Sequence, residues 1–412
     1  MNNTEEFSES RPPTYAWVMV FMVFVLSGLA FGSFASISVF LKPISLDFGW
    51  SRGETSLAYT VASFSSAFFG VLWGYLADKY GTRWFGLIGA VAMSLSLYLL
   101  SGQSSLMQFY SLYFFFGAFG CALLTSPLYA NVGFWFRDSP GLALGIAASG
   151  GAIGQAFIPY LSGYLISTSG WESAYLSLAI IYAAIALPIS LLIKESPWRE
   201  SARTTEEDEP RDFPVSEREV VIWISVAVIF CCICMSVPIV HLVPLLTDSN
   251  FSLEFATRVL MVLMFCGAFG RILGGMLGDF IGALPAYLLM SLGQTVSVIW
   301  FPHLTTPFGI YLLAAFFGFT YSGVMSSILV CTRMMVSAKF AARAMSLTSF
   351  FGWTGMGLGG FFGGYFYDLQ GDYVWSFAFA GIMGLLNVLI LLLFRSRIIR
   401  IEKKEDTIYL NS

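Results

Sequence analysis

Charge is scarce in this sequence. Only 11% of its 412 residues are Asp, Glu, Lys or Arg, whereas 57% are hydrophobic and the mean hydropathy is +0.75. A soluble chain of this length needs far more charge to cover its surface, so this composition excludes a soluble enzyme or binding domain. The net charge of −4 carries little information, because most of the chain is expected to lie out of water.

Metal ligands and leader signals are also lacking. The six Cys residues show no metal-ligand spacing, and Cys231, Cys232 and Cys234 lie in an apolar run, where buried thiols are expected. No nucleotide-binding loop follows a predicted strand, so we expect no metal, no cofactor and no nucleic-acid partner. The first residues, MNNTEEFSESRPP, carry no positive region before the apolar stretch, which predicts no cleaved signal peptide.

Long apolar runs fill the rest of the chain. A hydrocarbon core of about 30 Å is crossed by about 20 apolar helical residues. Twelve segments meet that length: 15–40, 55–77, 84–101, 106–130, 141–167, 172–193, 220–246, 256–278, 284–301, 307–331, 344–368 and 373–394. They predict an all-α membrane protein in two six-helix bundles, divided as N-terminal tail 1–14, first bundle 15–194, linker 195–219, second bundle 220–395 and C-terminal tail 396–412.

The basic residues predict the orientation. All but four of the 21 Lys and Arg residues fall on one side of the predicted spans, and the exceptions are Lys42, Arg52, Arg258 and Arg271. Cytosolic loops carry the excess of Lys and Arg, so both termini and the charged linker are expected to be cytosolic, in a multi-pass protein of the cell (inner) membrane.

The chain repeats itself at an offset of 201 residues. Residues 74–81 (GYLADKYG) fall on residues 275–282 (GMLGDFIG), and Gly151, Gly154 and Gly163 of the fifth predicted span fall on Gly352, Gly355 and Gly364 of the eleventh. One constant offset across separate regions indicates two parallel six-helix repeats, with a substrate site near the membrane midplane between them.

The loop around Asp78, G-Y-L-A-D-K-Y-G-T-R, resembles the signature loop of the major facilitator superfamily, and Asp279 is its echo. The stretches D-F-G-W-S-R-G-E-T from Asp47, G-L-A-L-G-I-A from Gly141, G-W at Gly170 and H-L-V-P at His241 resemble the monocarboxylate porter and oxalate/formate antiporter group. The resemblance covers essentially the whole chain. It implies twelve transmembrane helices in two pseudo-symmetric bundles, secondary transport by alternating access and a functional monomer.

Arg271 breaks the repeat, since it falls on Gly70. It lies eight residues before Asp279, or about 12 Å along a helix, which places it near the middle of the membrane. A charge there costs at least about 2.5–3.5 kcal/mol and needs a partner. A buried ion pair is the structural alternative, but no Asp or Glu lies mid-helix in a predicted span, since the acids fall at helix ends. A ligand carboxylate fits the planar guanidinium fork, which can donate two parallel hydrogen bonds.

Three aromatic residues are candidates for the same substrate site. The eleventh predicted span contains no Lys or Arg, which favours a monoanion over a dianion such as oxalate. Phe350 and Trp353 are three residues apart on that span and could form an apolar wall, with lipid-facing or interhelical packing as the alternative. Tyr321 falls on Gly120 of the repeat, and its hydroxyl needs a partner at mid-depth.

His241 and Asp248 are candidates for proton coupling, and His241 is also a substrate-site candidate. His241 falls on Phe40, and an imidazole titrates near physiological pH; a hydrogen-bonding histidine at the membrane interface is the alternative. The resemblance implies that an acid in this region takes the coupled proton. The match of Asp248 to Asp47 favours a structural helix-end role instead.

Four charged residues are gating candidates. Asp78 and Asp279 lie at helix ends, where they could accept hydrogen bonds from the N-terminus of a helix in the other half. Arg83 and Arg137 could bridge the two halves on the cytosolic side and separate when the halves rock. The alternative for all four is the positive-inside topology alone.

Together these features predict a proton-coupled carrier of short monocarboxylates such as lactate or pyruvate, with the small carboxylate, the proton and the lipid bilayer as its partners. The rival is a carboxylate exchanger, as for oxalate and formate. A membrane-bound sensor would need an added soluble domain, and an integral membrane enzyme would need a catalytic cluster. Drug–proton antiport is disfavoured because a buried cation does not attract cationic drugs.

Overall fold

The computed structural model describes residues 14–136, 140–197, 213–336 and 338–411. Over these ranges the chain is almost entirely helical. Its helices are α1 (Thr14–Phe48), α2 (Arg52–Tyr80), α3 (Arg83–Leu100), α4 (Leu106–Trp135), α5 (140–169), α6 (171–191), α7 (Glu217–Asp248), α8 (Leu253–Ile281), α9 (Ala283–Val298), α10 (Pro307–Met334), α11 (Ala338–Gln370) and α12 (Val374–Asn411).

The described helices confirm the predicted all-α, twelve-helix membrane fold. Ten stretches of helix within the described ranges are long and apolar enough to cross a membrane. One of them contains both α5 and α6, which are separated at Gly170, where φ is +81° and ψ is 167°. The stretch α11 is not among the ten, and it carries seven Gly between Gly352 and Gly364, which add little hydropathy. The predicted linker boundaries stay a prediction, since residues 198–212 lie outside the described ranges.

The backbone itself repeats at the offset of 201 residues. Helices α2 and α8 begin at Arg52 and Leu253 and end at Tyr80 and Ile281. The left-handed backbone conformation also recurs at this spacing, in the pairs Gly49 and Asn250, Gly81 and Gly282, and Gly170 and Gly371. Gly and Asn are the residues that adopt positive φ at least cost, so the same three turns are built twice.

The two bundles meet along three pairs of helices. We call the face where α1 begins the terminal face, and the face that carries the turns 49–51 and 249–252 the far face. Buried apolar side chains form two main clusters, one for each set of six helices. Between the bundles, α2 packs along α11, α1 contacts α7, and α5 contacts α8. A site held by both bundles therefore has to lie between these pairs.

Within the first bundle α1 and α5 approach each other backbone to backbone. A Cβ atom at Gly154 would lie 1.8 Å from the carbonyl oxygen of Gly28, and one at Gly150 would lie 2.0 Å from that of Phe24. Only Gly permits this separation, which is typical of membrane helices that pack through small residues.

Helix α4 is interrupted halfway along its length. Residues Phe116–Cys121 form a π-helical turn, and the indole nitrogen of Trp73 donates to the carbonyl oxygen of Ala118 at 2.6 Å. Thr125 leaves helical geometry (φ −116°, ψ −85°) just before Ser126–Trp135, which has Pro near its start. Such interruptions change the direction in which the following side chains point, and they are frequent at functional sites.

Candidate functional site

Arg271 lies on the face of α8 that turns toward the first bundle. It follows Thr257 by fourteen residues, about four helical turns, and the methyl carbon of Thr257 would lie 2.7 Å from a Cβ on Gly163 of α5. Ten residues, or about 15 Å, separate Arg271 from the last residue of α8. Arg271 therefore lies well inside α8, on the side of that helix that packs against α5.

The guanidinium of Arg271 has no carboxylate partner among the side chains that the structure describes. The side chain is half-buried, and its Nε is buried without a hydrogen-bond acceptor. The ion pairs in the described ranges join other residues: Lys42 and Arg52 with Asp248, Arg258 with Glu254, and Arg397 with Glu219. A buried donor without an acceptor costs free energy, and a bound anion would recover it.

Tyr129 of the first bundle lies within electrostatic range of Arg271. It lies on the second half of α4, after the break at Thr125, and its hydroxyl also interacts with Ser27 of α1. A phenol can donate a hydrogen bond to an anion held by the guanidinium. Tyr129 is therefore a candidate second donor to an anion bound at Arg271.

Tyr321 lies farther toward the far face. Its hydroxyl donates to the sulfur of Met264 at 3.1 Å, and Met264 precedes Arg271 by seven residues, or about two turns of α8. Tyr59 of α2 lies within electrostatic range of Tyr321 from the first bundle. The hydroxyl expected to need a partner at mid-depth thus has one within its own bundle.

Phe350 and Trp353 have different neighbours. Trp353 stacks on Phe31 at 6.3 Å between ring centroids and packs on Phe34 at 5.2 Å, so it faces α1. Phe350 borders an open apolar groove of about 750 Å³ with residues of α2 and α4, including Phe64 and Phe68. The structure therefore does not give the two rings one common wall; Trp353 lies between the bundles, and Phe350 lies in the groove.

His241 is fully buried within the second bundle. Its Nε2 lies 2.7 Å from the carbonyl oxygen of Gly360 on α11, and its ring packs on Tyr373. A Cβ at Gly363 would lie 2.4 Å from the imidazole, so the ring fits because that residue is Gly. Its Nδ1 is buried without a partner among the described residues.

Asp248 ends α7 at the far face and pairs with the first bundle. Its Oδ1 lies 2.5 Å from the Lys42 ammonium and 3.5 Å from Nη2 of Arg52. Its repeat counterpart Asp47 accepts instead from the indole nitrogen of Trp171 at 3.0 Å, within the first bundle. The matched acids thus have different partners, which the sequence comparison alone did not suggest.

Three of the four gating candidates, Asp78, Asp279 and Arg83, lie on helix ends toward the terminal face. Asp78 and Asp279 belong to the last turns of α2 and α8, but their side chains lie outside the described part of the structure, as does the whole of Arg137. Arg83 begins α3, and its guanidinium lies 5.6 Å from the Trp84 ring centroid. Their gating roles stay predictions.

Sequence reasoning missed the aromatic residues of the first bundle. Phe31, Phe34, Tyr59 and Tyr129 all turn toward the second bundle. A signal was present for Tyr129: it falls on Val330 in the repeat, a departure from symmetry of the kind that singled out Arg271.

Sequence comparison relates the chain to known carriers. The profile of the Major Facilitator Superfamily matches residues 23–352 and also residues 236–407. The chain is 25% identical to the uncharacterized MFS-type transporter YcxA of Bacillus subtilis, over 88% of this chain and 91% of that protein. It is 26% identical to monocarboxylate transporter 13 of Bos taurus (90% and 88% covered) and 23% identical to monocarboxylate transporter 2 of Homo sapiens (96% and 91% covered).

Solved structures share the fold. A bacterial homolog of the human lysosomal transporter Spinster, inward-facing and occupied, superposes with a TM-score of 0.76 at 17% identity, covering 94% of this chain and 98% of that one. The xylose transporter XylE from E. coli, in a partially occluded inward-open conformation, gives a TM-score of 0.73 at 16% identity, with 92% and 98% covered.

Proposed function

We propose, given that the chain belongs to the major facilitator superfamily and is a transporter rather than an enzyme, that it carries short monocarboxylates and binds the carboxylate at Arg271. The unpaired, half-buried guanidinium between the bundles supports this proposal most directly. The monocarboxylate transporters among its relatives support the same substrate class.

The position of Arg271 suits alternating access. A carboxylate that receives two hydrogen bonds from the fork neutralises the Arg271 cation, and Tyr129 can add a third donor from the first bundle. A ligand held by both bundles lowers the cost of bringing them together, so binding favours the movement that carries it across.

Trp353, Phe31 and Phe34 offer an apolar surface for the rest of a small acid. The ring centroids of Phe31 and Phe34 on α1 lie 6.3 Å and 5.2 Å from that of Trp353 on α11. A short alkyl or hydroxyalkyl group would be removed from water there, while a second carboxylate would find no matching cation among the described residues of α11 between positions 344 and 370. The substrate class is therefore a monoanion.

Proton symport is the coupling we propose, with His241 and Asp248 as the candidate carriers. Neither lies beside Arg271. Asp248 is at the far face, and His241, which precedes Asp248 by seven residues on α7, is bonded to Gly360 of α11. A proton taken at either residue would act by changing how the bundles meet rather than by touching the substrate.

A carboxylate exchanger is the second candidate, because the engagement of Asp248 by Lys42 and Arg52 leaves it without a free role in this conformation. The two candidates differ in what drives uptake. In proteoliposomes, symport predicts lactate uptake driven by an inward proton gradient with no internal anion. Uptake that ignores pH and requires an internal carboxylate would overturn symport and support exchange.

The substrate site is tested by counterflow of labelled lactate and pyruvate with purified variants. Arg271→Lys keeps the charge but loses the fork, so we expect counterflow to fall at least about tenfold, and Arg271→Gln to abolish it. Arg258→Lys on the same helix, whose partner Glu254 is exposed, serves as the matched control and should transport normally. Wild-type transport by Arg271→Lys and Arg271→Gln would contradict the assignment.

A further inference from the structure

Four charged side chains cross between the bundles at the far face. Lys42 and Arg52 belong to the first bundle, and Asp248 and Asp368 belong to the second. The positive members therefore all lie on one side and the negative members on the other. We call this group the far-face latch.

Asp368 completes the start of α2 from the other bundle. Its Oδ1 accepts from the backbone N–H of Arg52 at 2.8 Å, and its Oδ2 accepts from that of Gly53 at 2.6 Å. Within α2, Ser51 and Glu54 form a reciprocal capping box that satisfies the N–H groups of Glu54 and Ser51. The first N–H groups of a helix have no intrahelical partner, and Asp368 supplies acceptors for the two that the box leaves open.

The negative charge of Asp368 also complements the helix dipole. The N-terminus of a helix carries about half a positive charge, so a carboxylate there is favoured, and its hydrogen bonds to N–H groups are charge-assisted. The fit is close, since a Cβ on Gly53 would lie 2.7 Å from Oδ2 of Asp368. Any separation of α2 from α11 at this face breaks both hydrogen bonds.

Asp248 forms the other arm of the latch. It pairs with Lys42 and approaches Arg52, which is only 6% exposed and lies 5.4 Å from the centroid of the Tyr367 ring. The Nη1 atom of Arg52 is buried without a partner among the described residues. A buried cation already short of acceptors depends strongly on the one carboxylate beside it.

At the symmetry-related position, the described residues form no such latch. The counterpart of Asp368 is Ser167 on α5, whose hydroxyl donates within its own helix to the carbonyl oxygen of Gly163 at 2.7 Å. At the start of α8, Glu254 pairs with Arg258 in the same helix rather than with α5. The charged contact is thus a property of α2 and α11 rather than of the fold.

We propose that Asp368, by capping α2 across the bundle interface together with the Asp248 ion pairs, holds the far face closed and sets the balance between far-closed and far-open states. It is a positioning residue for transport that touches no substrate. The inference does not depend on which acid is carried, because its test is made without substrate.

The test measures the opening of the far face directly. Spin labels at Ser104→Cys and Thr305→Cys occupy exposed loop positions of the far face that the repeat relates by 201 residues, one on each bundle. Cys266 is replaced by Ala, and the other five cysteines are buried. Pulsed electron–electron double resonance in lipid then gives the distribution of distances between the two labels, and therefore between the bundles.

Asp368→Asn should raise the ratio of the long-distance to the short-distance population about tenfold, since it removes a charge-assisted cap. Asp368→Glu, which keeps the charge, should restore part of the short population. Lys42→Gln should raise the ratio less, because Asp248 keeps Arg52 of the first bundle as a partner and the Asp368 cap stays in place. Asp47→Asn, which removes an acid bonded within one bundle, should leave the distances unchanged.

Unchanged distances in both Asp368→Asn and Lys42→Gln would overturn the proposal, and so would an equal shift in Asp47→Asn. If Asp368→Asn is not recovered as folded protein, Lys42→Gln decides, because its α2 cap is intact. Counterflow of lactate by these variants distinguishes this idea from the substrate site: a wrong substrate assignment would leave the distance shift in place.

Discussion

Helices α2 and α8 are the same element built twice. Both begin after a capping serine, Ser51 or Ser252, and both end at a glycine with positive φ, Gly81 or Gly282. They differ in the middle, where α8 has Arg271 at the position that corresponds to Gly70 of α2. The shared features build the same helix twice, while the difference adds the one charged position that we propose for the substrate. The comparison thus separates the repeated helix geometry from the proposed site.

The far ends of the two helices differ in the same way. The start of α2 is capped by Asp368 from the opposite bundle, whereas the matching position opposite α8 is Ser167. One interface is therefore held by charge and the other by small side chains such as Gly163 against Thr257. With unequal interfaces, the far face can open first along α5 and α8, where no ion pair between described residues has to be broken, and then along α2 and α11.

The largest effect is expected when the position that distinguishes α8 from α2 is given the α2 residue. Arg271→Gly removes the cation, and we expect the affinity for lactate to fall about 100-fold or more, because a charge-assisted pair is lost. In a thermal-shift measurement in detergent, saturating lactate should raise the Tm of the wild type but not that of the variant. A ligand-induced shift of wild-type size in Arg271→Gly would show that the carboxylate binds elsewhere.

Adding a side chain where α1 and α5 touch through glycines should have the next largest effect. Gly154→Ala places a Cβ 1.8 Å from the carbonyl oxygen of Gly28, so α1 and α5 must separate, at a cost of about 1–3 kcal/mol or more. We expect a Tm lower by several degrees. Gly355→Ala, its counterpart in the second bundle, meets Ile229 at 2.4 Å and should cost less.

The control for this pair is Gly145→Ala on α5, which has no heavy atom within 4 Å of the added Cβ. Its Tm should equal that of the wild type or rise slightly, since Ala is the better helix former. Equal losses in Gly154→Ala and Gly145→Ala would mean that helix flexibility, rather than close packing, explains the glycines.

Removing one hydroxyl tests the contribution of the first bundle to the site. Tyr129→Phe makes this position more like its apolar counterpart Val330, and we expect the lactate concentration for half-maximal counterflow to rise about threefold to tenfold, as for the loss of one hydrogen bond. Tyr98→Phe on the exposed surface of α3 is the control. No change in Tyr129→Phe would remove Tyr129 from the site.

The smallest effect is expected at the outer end of α8. Arg258 pairs with Glu254 one turn away on an exposed surface, where such pairs contribute little and are screened by salt. Arg258→Gln should change neither the Tm nor counterflow measurably. A marked loss of transport would indicate that the asymmetry between α8 and α2 extends to the far face.

Several expectations from the sequence agree with the structure because they rest on local chemistry. The break between the fifth and sixth spans lies at Gly170, where positive φ favours Gly. Arg271 is placed mid-helix because its distance from Asp279 is a matter of helical rise alone. The pairing of Phe350 with Trp353 did not follow, since equal spacing on a helix does not say which neighbour each ring meets.

By itself, the sequence determined the number of helices, the internal repeat and the one cation that lies near the middle of a predicted span. These follow from hydropathy, helical rise and the cost of a charge in lipid, all of which act along the chain. Only the tertiary structure decided that Tyr129 comes within electrostatic range of Arg271 and that Asp248 and Asp368 contact the other bundle. Those contacts join residues more than 100 positions apart, and distance in space is set by how the helices pack rather than by their order.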